Sequence, residues 1–204
     1  MRPLSRYRIA ALAACALLAL TGCAELEALL GPDTQLREPD VVYDPTPPEV
    51  VAAMLEMAQL RAGDVLYDLG SGDGRIPITA AKRYGIRAVG IDIDPVRIDE
   101  AEANAREHGV SQRVRFRQED LFEADFSEAT VVTLYLFPDL NLKLRPRLLA
   151  LRPGTRIVSH RFDMGDWAPE KTLKIGDAVV YFWTVPKPTR PAPQALPAEA
   201  AGLP

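Results

Sequence analysis

Cysteine is nearly absent from this chain. Of 204 residues only Cys15 and Cys23 are cysteines, and none follows Cys23. The body from Ala24 onward therefore has no disulfide framework and no cysteine metal site. Such a body suits an exported protein. Histidine is equally scarce: His108 and His160 are too few for a histidine-rich metal centre. No run of five basic residues occurs, and a net charge of −4 speaks against nucleic acid as a partner. No internal repeat is present. What the chain does have is apolar content of 48%, enough for a core. With two ends that read as non-globular, its length leaves room for about one domain.

The first 23 residues form a three-part leader. Arg2, Arg6 and Arg8 give a positive start, and Ile9 to Leu20 is an unbroken apolar run of twelve. That run is shorter than the roughly 20 residues of a membrane span and fits the apolar region of a signal peptide. Leu20-Thr21-Gly22-Cys23 resembles a lipobox, whose cysteine is lipidated and becomes the mature first residue. The resemblance implies membrane attachment through Cys23 on the periplasmic side of the cell envelope. Ala24 after the cysteine, where retained lipoproteins have Asp, implies the outer membrane. A start at Val41 or Val42 through an alternative start codon would instead give a cytoplasmic protein. Residues 24–40 read as a linker. Residues 186–204 hold six prolines and read as a disordered tail.

Between these ends, strands and helices alternate. Thr46-Pro47-Pro48-Glu49 has the pattern of a capping box, and Val50, Val51, Met54, Leu55 and Ala58 continue at helical spacing towards Gly63. Val65 to Leu69 reads as a short apolar strand. Residues 73–85 read as a helix with Pro77 in its first turn. A second strand covers 87–94, and a second long helix runs from Asp94 as cap to Gly109 as stop. Residues 113–119 alternate as a third strand, and 129–137 are apolar enough for a buried fourth. Residues 138–154 fit a helix disturbed near Pro146. A fifth strand at 155–160 and a late one at 178–185 complete the series. This order predicts an α/β fold: a mostly parallel sheet covered by helices on both faces, with an antiparallel late strand. Ligands of such sheets bind at the carboxyl ends of the strands.

At those ends lie three polar sites. Asp68-Leu69-Gly70-Ser71-Gly72-Asp73-Gly74 joins the first strand to the first following helix. Glycines there allow a sharp turn and close approach of a ligand. By itself such a loop could serve a dinucleotide or another nucleotide. The phosphate-loop Gly-Lys-Ser/Thr is missing, and Arg75 stands where a dinucleotide fingerprint needs its third glycine. Asp92, about 20 residues on, ends the second strand, where an acid can accept from both hydroxyls of a ribose. Asp120 ends the third, where it could accept from an adenine amino group.

In order and spacing, "VLYDLGSGDGR", "VGIDIDP" and "QEDLF" resemble the motifs of class I S-adenosylmethionine-dependent methyltransferases, over roughly residues 41–185. The resemblance implies a Rossmann-like sheet with S-adenosylmethionine as cofactor and S-adenosylhomocysteine as product. It further implies that Tyr67, Asp68, Gly70, Ser71, Gly72, Asp73 and Gly74 surround the methionine portion. Asp92 and Ile93 would then hold the ribose, and Asp120 and Leu121 the adenine. After the fourth strand the chain reads "YLFPDLN", not the Asn-Pro-Pro-Tyr of many base and amide methyltransferases. Tyr43-Asp44-Pro45-Thr46, "DLGSGDGRI" and "SHRFDMGDW" resemble a narrower group, the mitochondrial-type protein-lysine methyltransferases and their bacterial relatives. That resemblance implies a lysine or small amine as acceptor, with Tyr43, Tyr135, Phe162 and Trp167 as an aromatic wall. His160 or Asp163 would take the proton or orient the amine. An envelope protein that binds the cofactor or an adenosine-like ligand without methyl transfer is the alternative.

Overall fold

A computed structural model describes Leu36 and residues 43–187. Residues 43–187 all fall in the second of two units, Arg37–Pro204. The leader, Cys23, most of the linker and nearly all of the tail lie outside the described residues.

Seven strands form one sheet: β1 (Val65–Leu69), β2 (Arg87–Asp92), β3 (Val114–Gln118), β4 (Val131–Leu134), β5 (Arg156–His160), β6 (Lys171–Ile175) and β7 (Ala178–Thr184), in the order β3-β2-β1-β4-β5-β7-β6. The first five strands pair in parallel, and β7 runs antiparallel between β5 and β6. The helices are α1 (Pro48–Met57), α2 (Arg75–Tyr84), α3 (Pro95–Glu107) and α4 (Pro138–Leu149). This is the α/β sheet expected of a Rossmann-like methyltransferase.

Residue alternation along the strands divides the core. Leu66, Val131, Val158 and Val180 face α1 and α2 on one side of the sheet. Val65, Leu69, Val132, Ile157 and Trp183 face α4 and the segment around Phe126 on the other. Both faces are covered, which is why β1 and β4 are buried throughout.

Three local expectations are corrected. Thr46 does not cap α1: Pro47 is the N-cap, no side chain closes that end, and the Thr46 hydroxyl lies 3.3 Å from His160 Nδ1. A tertiary hydrogen bond has replaced the local one. Helix α1 also stops at Met57, before Gln59, whose φ is +50°. Strand β6 is an addition to the expected series, because an exposed edge strand carries no apolar alternation. By contrast Asp94 does cap α3, accepting from Val96 N at 2.8 Å, and α4 continues through Pro146.

At the amino-terminal end of the sheet, Asp64 is buried and paired with Arg156. Burial pushes its carboxyl upward, but hydrogen bonds from Arg156, the Arg61 amide and Thr130 outweigh this and hold it below the usual range. Its contribution to stability is therefore present above the unfolded carboxylate range and lost as pH falls through the lowered folded value. Asp64→Ala leaves the Arg156 charge without its partner. It is expected to cost about 3 kcal/mol, read by chemical denaturation at pH 7. A loss below about 1 kcal/mol would show the pair to be dispensable.

Candidate functional site

The strand order reverses beside β1, and there the carboxyl ends of β1, β2 and β4 open onto a cavity of about 390 Å³. That position and size are those of a small-molecule site.

The glycine loop is held open by its backbone. Gly70 N and Ser71 N both donate to Ile91 O, at 2.9 and 3.0 Å, which pins the loop to β2. Gly72 N donates to Asp92 Oδ2 at 2.8 Å, and Asp94 N donates to Asp92 Oδ1 at 3.0 Å. Gly72 has φ +51°, and a Cβ there would stand 2.5 Å from the Tyr43 ring. Gly74 has φ +78°, and its Cβ would stand 2.4 Å from Phe116. Neither position can take a side chain without displacing a ring.

Asp68 is 2% exposed and accepts a 2.6 Å hydrogen bond from Thr133, its register partner on β4. Burial pushes its carboxyl up to about 7, and the nearby Asp92 and Asp73 charges push the same way against the Thr133 bond. Asp73 behaves differently. Arg75 grips it through Nε at 2.9 Å and Nη2 at 2.6 Å, which overcomes burial and holds it below the usual range. Ser71 Oγ is buried and has no hydrogen-bond partner among the described residues. Asp120 receives the Phe122 amide at 2.8 Å and lines the cavity with Leu121 and Ile93.

Residues 43–46 lie along the cavity as a strap. Arg75 Nη1 donates to Thr46 O at 2.9 Å, and Arg75 Nη2 reaches the Tyr43 hydroxyl at 3.4 Å. The Arg97 guanidinium sits 4.7 Å from the Tyr43 ring centre. The Tyr135 hydroxyl donates to Asp44 Oδ2 at 2.7 Å.

The other end of the cavity is aromatic. Tyr135 and Phe162 stack at 6.4 Å, and Phe137 meets Phe162 at 5.9 Å. Arg161, with φ +70°, shares the lining and donates its amide to Val179 O at 2.6 Å. Its loop is clamped from below. Ser159 Oγ donates to Phe162 O at 2.7 Å, and buried Asn141 Nδ2 reaches Phe162 O and Asp163 O at 3.3 and 3.2 Å.

The residues singled out from sequence divide accordingly. Tyr43, Asp68, Gly70, Ser71, Gly72, Asp73, Asp92, Ile93, Asp120, Leu121 and Tyr135 line the cavity. Tyr67, Gly74, His160, Asp163 and Trp167 do not. Tyr67 is buried in the core cluster of Val65, Leu69 and Val132 and donates to Glu128 at 3.0 Å, with burial raising its phenol to about 12. His160 is 4% exposed and packs behind Tyr135 at 4.0 Å. Burial, then the neighbouring Arg161, lowers its pKa and keeps it neutral. Asp163 closes a turn by accepting from Gly165 N at 3.0 Å, and Trp167 packs on Trp183 at 6.0 Å. Sequence reasoning assigns no role to Asp44, Arg75, Arg97, Leu136 or Phe137 at this cavity, and reaches Arg161 only as part of the "SHRFDMGDW" segment. The first lies inside a motif valued for its tyrosine, and the strand-end rule could have reached Leu136 and Phe137.

A glycine cradle that a Cβ would fill, acids at the ends of β2 and β3 and an apolar Leu121–Ile93 rim fit an adenosyl amino acid. Fold and site together define a class I S-adenosylmethionine-dependent methyltransferase. Comparison with known proteins gives the particular family: the chain belongs to the ANTKMT methyltransferase domain family, whose model matches residues 68–171. It is 46% identical over 153 residues to a protein-lysine N-methyltransferase of Saccharolobus islandicus, covering 72% of this chain and 95% of that one. It is 33% identical over 137 residues to the adenine nucleotide translocase lysine N-methyltransferase of Mus musculus, covering 66% of this chain and 59% of the mouse protein. Among solved structures it resembles an RNA methyltransferase from Salinibacter ruber in complex with S-adenosylhomocysteine. The TM-score is 0.69 at 55% identity, over 76% of this chain and 98% of that one. The protein is an S-adenosylmethionine-dependent methyltransferase.

Proposed function

We propose that this enzyme methylates the side-chain nitrogen of lysine in a protein. The observation that carries this is the 46% identity to a protein-lysine N-methyltransferase over 95% of that protein's length. The aromatic half of the cavity supports it, because a lysine side chain is a four-carbon apolar stem with a nitrogen at its tip.

When bound, S-adenosylmethionine supplies a methyl group on cationic sulfur. Asp92 and Asp120 would hold its adenosyl part, and Asp68 and the glycine loop its methionine end. The acceptor nitrogen must be neutral to react. At pH 7 only about one free lysine in a few thousand is so. Tyr135, Phe137 and Phe162 present an apolar wall to the nitrogen, and Arg161 places a positive charge beside it. Both favour the neutral amine, whose proton leaves to water. The nitrogen lone pair then forms the bond to the methyl carbon as the carbon–sulfur pair stays on sulfur. Positioning by these walls can supply roughly 7–11 kcal/mol of the barrier.

RNA methylation is the second reading, motivated by the 55% identity to the Salinibacter ruber protein. A net charge of −4 disfavours it, since RNA binding draws on phosphate neutralisation. Protein and RNA fractions of the source cells, each treated with enzyme and a methyl-tritiated cofactor, separate the two. Label recovered as methyl-lysine after protein hydrolysis is the expected result. Label confined to RNA would sink the lysine reading.

Attachment to the cell envelope through a lipidated Cys23 is also proposed, on the strength of the leader. Intact mass of the protein from membranes checks it. A mature chain beginning at acylated Cys23 supports it, and a cytosolic chain starting near residue 41 overturns it.

A further inference from the structure

The cavity has two ends, and acids are distributed unequally between them. Asp68, Asp73, Asp92, Asp94 and Asp120 belong to the β1–β3 end with the glycine loop. The β4–β5 end, walled by Tyr135, Phe137 and Phe162, has a single carboxylate among the described residues that line it, Asp44. This acid arrives from the strap, 91 residues away in sequence from the tyrosine it meets. Its Oδ2 accepts the Tyr135 hydroxyl at 2.7 Å. The strap is held at Thr46, whose carbonyl accepts from Arg75 and whose hydroxyl faces His160, and Arg75 also reaches the Tyr43 hydroxyl. Tyr135 is fixed too, with buried His160 packed on its ring at 4.0 Å. An acceptor pair thus stands at the aromatic end of the cavity, with Asp44 on its exposed side. The Arg161 guanidinium is the cation lining the same end.

We infer that Asp44 and the Tyr135 oxygen form the acceptor-nitrogen subsite, with Asp44 as the residue that selects a cationic amine. The inference rests on the reading of the enzyme as an amine methyltransferase and names the group that makes the choice. Asp44 draws the ammonium group in. Once the proton has left to water, the two remaining N–H bonds are directed at the Asp44 carboxylate and the Tyr135 oxygen. The lone pair is left facing the cofactor end. Arg161 offsets the Asp44 charge, so that capture by the acid does not lock the nitrogen in its protonated form.

Binding of n-butylammonium and of n-butanol to the S-adenosylhomocysteine-loaded protein, measured by calorimetry or NMR titration, isolates this subsite without turnover. Wild type is expected to prefer the ammonium by about tenfold. Asp44→Asn is expected to lose that preference and keep its S-adenosylhomocysteine affinity within about twofold, which also reports an intact fold. Tyr135→Phe is expected to keep the preference for charge but raise KM for the protein acceptor. Equal binding of butanol and butylammonium by wild type would overturn the inference, as would an unchanged preference in Asp44→Asn. The methyl-lysine labelling described above is read separately. Labelled lysine with an indifferent Asp44→Asn protein defeats the subsite and leaves the lysine reading standing. An Asp44-dependent ammonium preference without labelled lysine does the reverse.

Discussion

Asp92→Ala is expected to weaken S-adenosylhomocysteine binding by at least about 100-fold. Two hydrogen bonds from ribose hydroxyls to a carboxylate are worth about 1.5–3 kcal/mol each, so losing both costs about 3–6 kcal/mol. The structure adds a second loss. Asp92 also accepts from Gly72 N and Asp94 N, so it braces the glycine loop as well as facing the cavity. The alanine protein should therefore bind poorly and also show faster amide exchange at Gly72 and Asp94. Calorimetry and hydrogen exchange check the two parts. Affinity within about fivefold of wild type would mean that Asp92 does not hold the ribose.

The second large effect is on pH. Asp68 is buried beside Asp92 and Asp73, and its carboxyl is raised to about 7. A cationic methionine end favours the ionised form, so binding below that value must release a proton. The affinity for S-adenosylmethionine is expected to fall about tenfold for each pH unit below about 7 and to level off above it. Thr133→Val, which removes the 2.6 Å hydrogen bond to the carboxylate, moves the break to higher pH. Asp68→Asn removes it. The ligand-free protein shows the linked effect with its own sign. A carboxyl raised on folding contributes stability that is present below the unfolded value and lost as pH rises through about 7. The thermal shift produced by the cofactor should therefore grow between pH 6 and pH 8. A flat binding curve from pH 8 to pH 5 would contradict the assignment of Asp68 to the cationic end.

Much of this site is legible in the sequence because its signals are local. A strand followed by Gly-Ser-Gly-Asp-Gly, and acids at the next two strand ends, are fixed by chain direction and the pleat. Asp94 is legible as a helix cap for the same reason. Thr46 misleads because the capping pattern is also local, whereas its hydroxyl answers to His160, 114 residues away. Trp167 has the composition expected of a substrate wall, yet its ring is spent on Trp183, whose indole N–H also donates to the Trp167 carbonyl at 2.7 Å. A side chain's type says what it can touch; the packing of β7 decides what it does touch. Edge strand β6 leaves no signal, since its faces are mostly exposed.

The sequence by itself determined the order of the elements other than β6, the cofactor class and the family. Those depend on residues close together in the chain, whose backbone conformations and strand ends follow from local rules. Only the tertiary structure decided the acceptor end. It brought Asp44 to Tyr135, put Arg161 beside them, buried His160 and turned Trp167 onto Trp183. Such choices are made by competition for burial and hydrogen bonds among segments as far as 114 residues apart, and no window of sequence contains both competitors.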